Sequence, residues 1–194
     1  MMSYLRPSLI LVILLTLITG IAYPLLTTGL AQVIFSDKAH GSLATLGGEA
    51  VGSTLIGQQF TQPGYFSGRP SATSDIPYNA LSSGGSNLAI SNPALDAEIN
   101  ERIKALRLAN PDQTGPVPVD LVTASGSGLD PQISLEAAYY QANRVAKARQ
   151  LTLSEVQDLI AKNEQKSVPN FLGESVVNVL ILNMALDNVK PLKQ

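Results

Sequence analysis

Leu9–Phe35 reads LILVILLTLITGIAYPLLTTGLAQVIF, and this stretch decides the fold. It carries no charged residue, and the first charge after it is Asp37. A helix that crosses the hydrocarbon core needs about 20 mostly apolar residues, and this run is longer. Its Leu/Ile/Val-rich first half favours insertion, at about −0.3 to −0.6 kcal/mol per residue near the helix centre. Pro24 lies inside the run, but a membrane helix tolerates proline where other groups satisfy the freed backbone. From Ser36 onward the chain is polar enough for water. The expected class is α+β: one N-terminal transmembrane helix, then a single mainly helical soluble domain with a few short strands.

A cleaved export signal would need a basic start, an apolar core of about 7–15 residues and a small-x-small cleavage site. Arg6 supplies the first, and Thr19-Gly20-Ile21-Ala22 or Thr28-Gly29-Leu30-Ala31 could supply the last. The apolar run is too long for the middle requirement, so retention as an anchor is the favoured reading. Arg6 and the α-amino group stand on one side, Asp37 and Lys38 on the other. Positive charge at a membrane helix end stays cytoplasmic. The expected layout is therefore residues 1–7 cytoplasmic, 8–35 transmembrane and 36–194 extracytoplasmic, the periplasm in a Gram-negative cell.

Composition removes several function classes. A net charge of −2 offers no basic field for nucleic acid. Without cysteine there is no thiol catalysis and no thiolate metal site. One histidine, His40, cannot build a His-rich metal site or an HExxH helix. No metal or catalytic residue is expected.

Small and hydroxyl residues recur within the anchor at Thr16, Gly20, Thr27 and Ala31. Such residues at four-residue spacing let another membrane helix approach closely, so these four are expected to form a packing face. Between Ser36 and Asn92 the sequence turns rich in glycine, serine and proline. A short strand is expected within Ala50–Gln59. Gly52 and Gly57 have the P-loop spacing, but Gln58 stands where a phosphate-neutralising lysine is needed. Tyr65, Phe66, Leu81 and Leu88 favour an ordered irregular surface over a linker, since a linker would lack such anchors.

Asn92-Pro93 starts a helix, with asparagine as cap and proline in the first turn. Leu95, Ile99, Ile103 and Leu106 form its apolar stripe, and Glu98–Arg102 pairs on the wet side. Val117–Ala124 reads as a strand. Ser125–Pro131 is a tight loop that leads to a helix at Leu135–Arg149 capped by Ser134. Thr152–Glu155 is a capping box, with Leu151 stapled to Val156. Asn178 caps a last helix with Val179, Leu182, Leu186 and Val189 on one face; the alternative, a strand over VVNVLIL, is outweighed by this spacing. The loop TASGSGLD could form an anion nest, or place Ser125 or Ser127 beside Asp130 as a nucleophile and partner. No histidine or lysine lies nearby in sequence to activate a serine, so glycines serving turn geometry is the preferred reading.

ITGIAYPLLTTGLAQ (Ile18–Gln32), GSTLIGQ (Gly52–Gln58), YFSGRPSAT (Tyr65–Thr73), PYN (Pro77–Asn79), SGGSNL (Ser83–Leu88), VTASGSGLDP (Val122–Pro131), RVAKAR (Arg144–Arg149) and VNVLILNMALD (Val177–Asp187) occur in this order. Together they resemble the KdpC family, the C subunits of the Kdp potassium-transporting P-type ATPases. Ala44-Thr45 and Leu135 depart from the usual pattern. The resemblance implies a single-pass inner-membrane subunit. Its partners would be a channel-like potassium-translocating subunit, an ATP-hydrolysing P-type subunit, a small single-helix subunit and the lipid bilayer. ATP and potassium would be handled by the complex, with no cofactor held firmly by this chain; the absence of a DKTGT phosphorylation motif agrees.

The resemblance also implies an alternative role as a catalytic chaperone that raises the ATP affinity of the ATPase subunit, with nucleotide contact at Gln141. An extracytoplasmic Gln141 cannot meet cytoplasmic ATP, so a solvent-exposed helix glutamine is the preferred reading. Docking is instead expected from Arg69, Ser125 and Asp130, in the three glycine-rich stretches Gly68–Pro70, Ser83–Leu88 and Ser125–Asp130, together with the face at Thr16, Gly20, Thr27 and Ala31.

Overall fold

The computed structural model describes residues 4–167, 169 and 173–192. The chain divides into two compact units, Met1–Leu43 and Ala44–Gln194.

In the first unit, α1 (Leu5–Leu17) runs through one π turn (Ile18–Ala22) into α2 (Tyr23–Ile34). Together they make a 30-residue apolar helix, long and apolar enough to cross a membrane. At 1.5 Å per residue it spans about 45 Å, more than the roughly 30 Å hydrocarbon core. It starts at Leu5, so most of the expected 1–7 tail is helical or outside the described residues. The π turn has a local cause. Pro24 has no N–H to offer the Gly20 carbonyl, and its ring crowds that carbonyl. The helix widens just before it, and Tyr23 N–H donates to Ile18 O instead. Thr27 Oγ1 donates back to Tyr23 O and Pro24 O at 3.0 and 3.1 Å, so its hydroxyl is satisfied within the helix. A short helix, α3 (Ser36–Ala39), carries the first charges.

At the boundary of the two units, from Leu43 on, comes a hairpin, β1 (Leu43–Leu46) and β2 (Glu49–Ser53), turned by Gly47-Gly48 at φ 62° and 91°. β2 ends before Gly57, which lies in a loop. α4 (Pro93–Ala109) is capped as expected, Asn92 Oδ1 accepting from Ala94 N at 3.0 Å. Its stripe is only half-buried, with Leu106 packed on the core. Arg102 is less wet than expected: it holds Glu98 at 2.8 Å and also donates to Val122 O at 3.0 Å.

Val117–Ala124 is not a strand. Val119–Leu121 makes a single 3₁₀ turn, and Thr123 N and Oγ1 fold back onto Val119 O. Asp120 accepts from Ser134 N at 2.7 Å, so the segment tucks under the next helix and pairs with no neighbour strand.

β3 (Gln132–Ser134), β4 (Glu164–Gln165) and β5 (Val176–Asn178) form a small antiparallel sheet in the order β3-β5-β4. α5 (Leu135–Arg149), α6 (Leu153–Lys162) and α7 (Val179–Val189) pack around it. Ser134 caps α5 through Ala137 N, the capping box of α6 is complete, and Asn178 caps α7 through Ile181 N. VVNVLIL thus divides: its first three residues are strand, the rest helix. Val179, Leu182 and Leu186 are buried, but Val189 is 53% exposed and does not share their face. Alanines 137, 138, 142 and 146 bring α5 close to its neighbours, and Ile133, Val145, Val156, Ile160, Val177 and Phe66 complete the core.

Candidate docking surface

Residues 60–69 have no regular secondary structure, yet Phe66 in their middle is fully buried. Buried backbone N–H and C=O groups must find partners, and this strap finds them on side chains of α5 and α7. Arg144 donates to Pro63 O at 2.6 Å and to Tyr65 O at 3.0 Å. Arg149 Nε donates to Gly64 O at 2.6 Å. Asn183 accepts from Phe66 N at 2.8 Å and donates to Phe66 O at 3.0 Å. Gln141 accepts from Ser67 N at 2.8 Å and donates to Ser67 O at 3.1 Å. Every carbonyl from Pro63 to Ser67 is therefore held by a helix side chain. Two amides imitate a β-ladder for the consecutive residues Phe66 and Ser67.

Gln141 departs from its expected place. Its exposure is 0%, and both amide heteroatoms are occupied; Nε2 also reaches Ala137 O at 3.2 Å, and Arg144 Nη2 donates to Oε1 at 2.8 Å. The α5 face on which it sits is covered by the strap rather than by water. Asn183, Arg144 and Arg149 have equal parts in this arrangement and were not singled out as site residues from the sequence. One signal was present: Asn183 interrupts the apolar stretch VLILNMAL.

Arg149 is nearly enclosed. Its Nη1 donates to Lys190 O at 2.6 Å, and Nη2 lies 2.9 Å from Asp187 Oδ1 in an ionic contact off the hydrogen-bond angle. Its guanidinium stacks 4.6 Å from the centre of the Tyr65 ring, whose hydroxyl donates to Asp187. Burial, then the Asp187 carboxylate, raises the Tyr65 pKa. Burial lowers that of Arg144.

The strap leads into the three glycine-rich stretches, which the fold brings together. Ser125 N donates to Pro70 O at 3.2 Å, Ser71 Oγ to Gly128 O at 2.7 Å, and Gly84 N and Ser83 Oγ both to Ser127 O, at 2.9 and 3.0 Å. Gly128, at φ 68°, could not carry a side chain: a Cβ there would stand 2.5 Å from Thr73 Cγ2 and 2.7 Å from Gly84 O. Arg69 Nη1 pairs with Asp130 Oδ2 at 3.1 Å, and Asp130 Oδ1 accepts from Gln132 N at 3.0 Å. Arg69 and Asp130, expected to face a partner, thus meet each other, both side chains 28% exposed. Tyr78 closes the group by donating to Arg69 O at 2.6 Å. Burial, with Asp130 adding to it, pushes the Tyr78 hydroxyl up to about 12.

Ser125 is 3% exposed, so it supports the surface from beneath. Its Oγ lies 3.5 Å from Ser127 Oγ, a neighbour that cannot serve as a base. The anion-nest reading also loses ground: the N–H groups of Ser125, Gly128 and Leu129 donate to Pro70 O, Ser125 O and Ser127 Oγ. Leu81, expected as an internal anchor, is 98% exposed; Phe66 is the anchor, while Ile76, Leu81 and Ile90 stand on the surface. Among the described residues no group of His, Cys, Asp and Glu could hold a metal ion.

Residues 5–188 match the family described as KdpC, the K+-transporting ATPase c chain. The chain belongs to the KdpC family. It is 74% identical over 186 residues to the potassium-transporting ATPase KdpC subunit of Yersinia enterocolitica, covering 96% of this chain and 93% of that one. It is 66% identical to the corresponding subunit of Serratia proteamaculans, covering 97% and 100%. For the Klebsiella pneumoniae subunit the figures are 57% identity and 97% and 99% coverage. The family match takes in the membrane-length helix, the strap, the three glycine-rich stretches and nearly all of α7. KdpC membership therefore covers both units.

Proposed function

We propose that this chain is a non-catalytic subunit of an ATP-driven, high-affinity potassium uptake complex, needed for assembly and stability of the chains that move potassium and hydrolyse ATP. The observation that carries this reading is the strap. An irregular segment held at five consecutive carbonyls is costly to build for a mere linker. Such a segment suits a rigid surface presented to another protein. Arg69, Asp130 and the loops supported by Ser125 form the centre of that surface, with Ile76, Leu81 and Ile90 as exposed apolar groups beside them. The partner there is the channel-like potassium-translocating subunit. The P-type ATPase subunit and the small single-helix subunit complete the assembly. Thr16, Gly20, Thr27 and Ala31 pack the anchor against a neighbouring membrane helix.

ATP and potassium are handled by those partner chains, with no cofactor held by this one. Direct nucleotide contact at Gln141 is the weaker reading, because both amide atoms are committed to the strap and the side chain is 0% exposed. The chain crosses the inner membrane once, N-terminus cytoplasmic and residues 36–194 periplasmic. A reporter active only in the periplasm, fused after Gln194, should be active; activity of a cytoplasm-only reporter at the same place contradicts this orientation. Expression of the other subunits without this chain should leave the ATPase subunit unrecoverable with the channel-like one. Recovery of an intact, potassium-stimulated ATPase without it would contradict the proposed function.

A further inference from the structure

A cavity of about 320 Å³ lies between the C-terminal end of α4 and the outer face of α5, its lining including Ala109, Pro111, Asp112, Arg144, Lys147 and Ala148. Ala109, Pro111 and Ala148 give it apolar walls, and two cations and one carboxylate, Asp112, border it. Lys147 is spoken for in part, its Nζ donating to Asp112 Oδ2 at 2.5 Å. Arg144 differs from the other arginines anchored in this unit. Arg69, Arg102 and Arg149 each face a carboxylate, Asp130, Glu98 and Asp187 respectively. Arg144 touches only neutral acceptors, namely Asn110 Oδ1, Gln141 Oε1 and the Pro63 and Tyr65 carbonyls. No carboxylate comes within ion-pair distance of it among the described residues.

Neutral carbonyls orient a guanidinium without cancelling its charge. A cation withdrawn from water calls for a counter-anion, and this one borders a cavity with room for it. We infer that the cavity receives the carboxylate of an Asp or Glu side chain from a partner chain of the complex, its stem against Ala109, Pro111 and Ala148 and its oxygens toward Arg144 and Lys147. This inference rests on the reading of the chain as a docking subunit, and it adds a second contact, at residues other than those of the Arg69 surface. A side-chain carboxylate fits better than a free polyanion. The apolar walls favour a group carried on a hydrocarbon stem, and Asp112 already offsets part of the positive charge at Lys147.

Arg144 also holds the strap, so the test uses its neighbours. In the full complex, co-expressed and isolated in detergent, Ala148→Trp fills the cavity and Lys147→Glu reverses its rim, and neither touches the strap. Each should lower recovery of the partner chains about tenfold or more while leaving the melting temperature of the chain itself unchanged. Lys104→Glu, on the exposed side of α4, should do neither. In an Asp112→Asn chain, a water-soluble carbodiimide should couple the freed Lys147 amine to an Asp or Glu of another subunit, located by peptide mass analysis.

Wild-type recovery with Ala148→Trp overturns the inference but leaves the docking reading standing, since the partners are still retained. Failure of even the unsubstituted chain to retain them would instead refute the docking reading. Coupling of Lys147 that millimolar ATP abolishes would overturn the inference in favour of a nucleotide anion.

Discussion

Gln141 fixes the strap through both ends of one amide, and that geometry decides what its replacement should do. Gln141→Leu leaves the Ser67 N–H and C=O without partners. An unsatisfied buried polar group costs about 1–3 kcal/mol, so the second unit should lose about 2–4 kcal/mol of stability. Each kcal/mol lowers the melting temperature of a domain this size by about 2–4 °C. The loss should be visible in the full chain without any nucleotide. An unchanged melting temperature together with a raised ATP requirement of the complex would mark Gln141 as a nucleotide contact instead. A glutamine on an amphipathic helix reads as solvent-facing because helical periodicity reports only what a helix buries against other periodic elements. The strap that covers Gln141 has no period, so nothing in the sequence flagged this face as interior. Asn183 left a fainter trace, a polar residue on an apolar stripe, which a search for buried amides could have caught. Arg69 and Asp130 are both expected on one docking surface, but the ion pair between them joins residues 61 apart and could not be read from spacing.

At the scale of elements, legibility followed local chemistry. Asn92, Ser134, Thr152 and Asn178 all cap the helices expected of them, because capping is decided by a few neighbouring residues. Val117–Ala124 failed for the opposite reason: a strand needs a partner, and alternating valines cannot say whether one will be adjacent. VVNVLIL was ambiguous because it is both, strand to Asn178 and helix after it. In the membrane-length helix, the long run and Pro24 were legible, but the π turn before the proline was not. Within this helix a Cβ on Gly20 would meet nothing closer than Thr16 Cγ2 at 3.9 Å, so the position is open within the chain and closeness to a neighbouring helix is what a larger side chain would disturb. Gly20→Leu should therefore weaken co-purification with the large subunits, while Leu14→Ala should have much less effect. Equal effects of the two changes would remove the case for a packing face.

Taken as a whole molecule, the chain joins an apolar helix to a unit whose irregular strap is held by side chains of α5 and α7. Composition alone excludes thiol catalysis, thiolate metal sites and a His-rich metal site. The grouping of Gly68–Pro70, Ser83–Leu88 and Ser125–Asp130 was expected as a shared surface, and the hydrogen bonds from Ser71, Ser83, Gly84 and Ser125 join the three stretches. A surface of this kind, with Arg69 at its centre, supports the proposed role in assembly. Within the chain, Arg69→Ala should cost at most about 1 kcal/mol, because its pair with Asp130 is partly solvent-screened. Its effect on docking should be larger, about 2 kcal/mol or more for a desolvated charged contact. The most direct measurement is therefore made on the membrane complex carrying Arg69→Ala, scoring the yield of intact complex and the ATP concentration dependence of its hydrolysis together. The account predicts a folded chain, a sharply reduced yield, and near-normal ATP affinity in whatever assembles; full assembly with a much raised ATP requirement would contradict it.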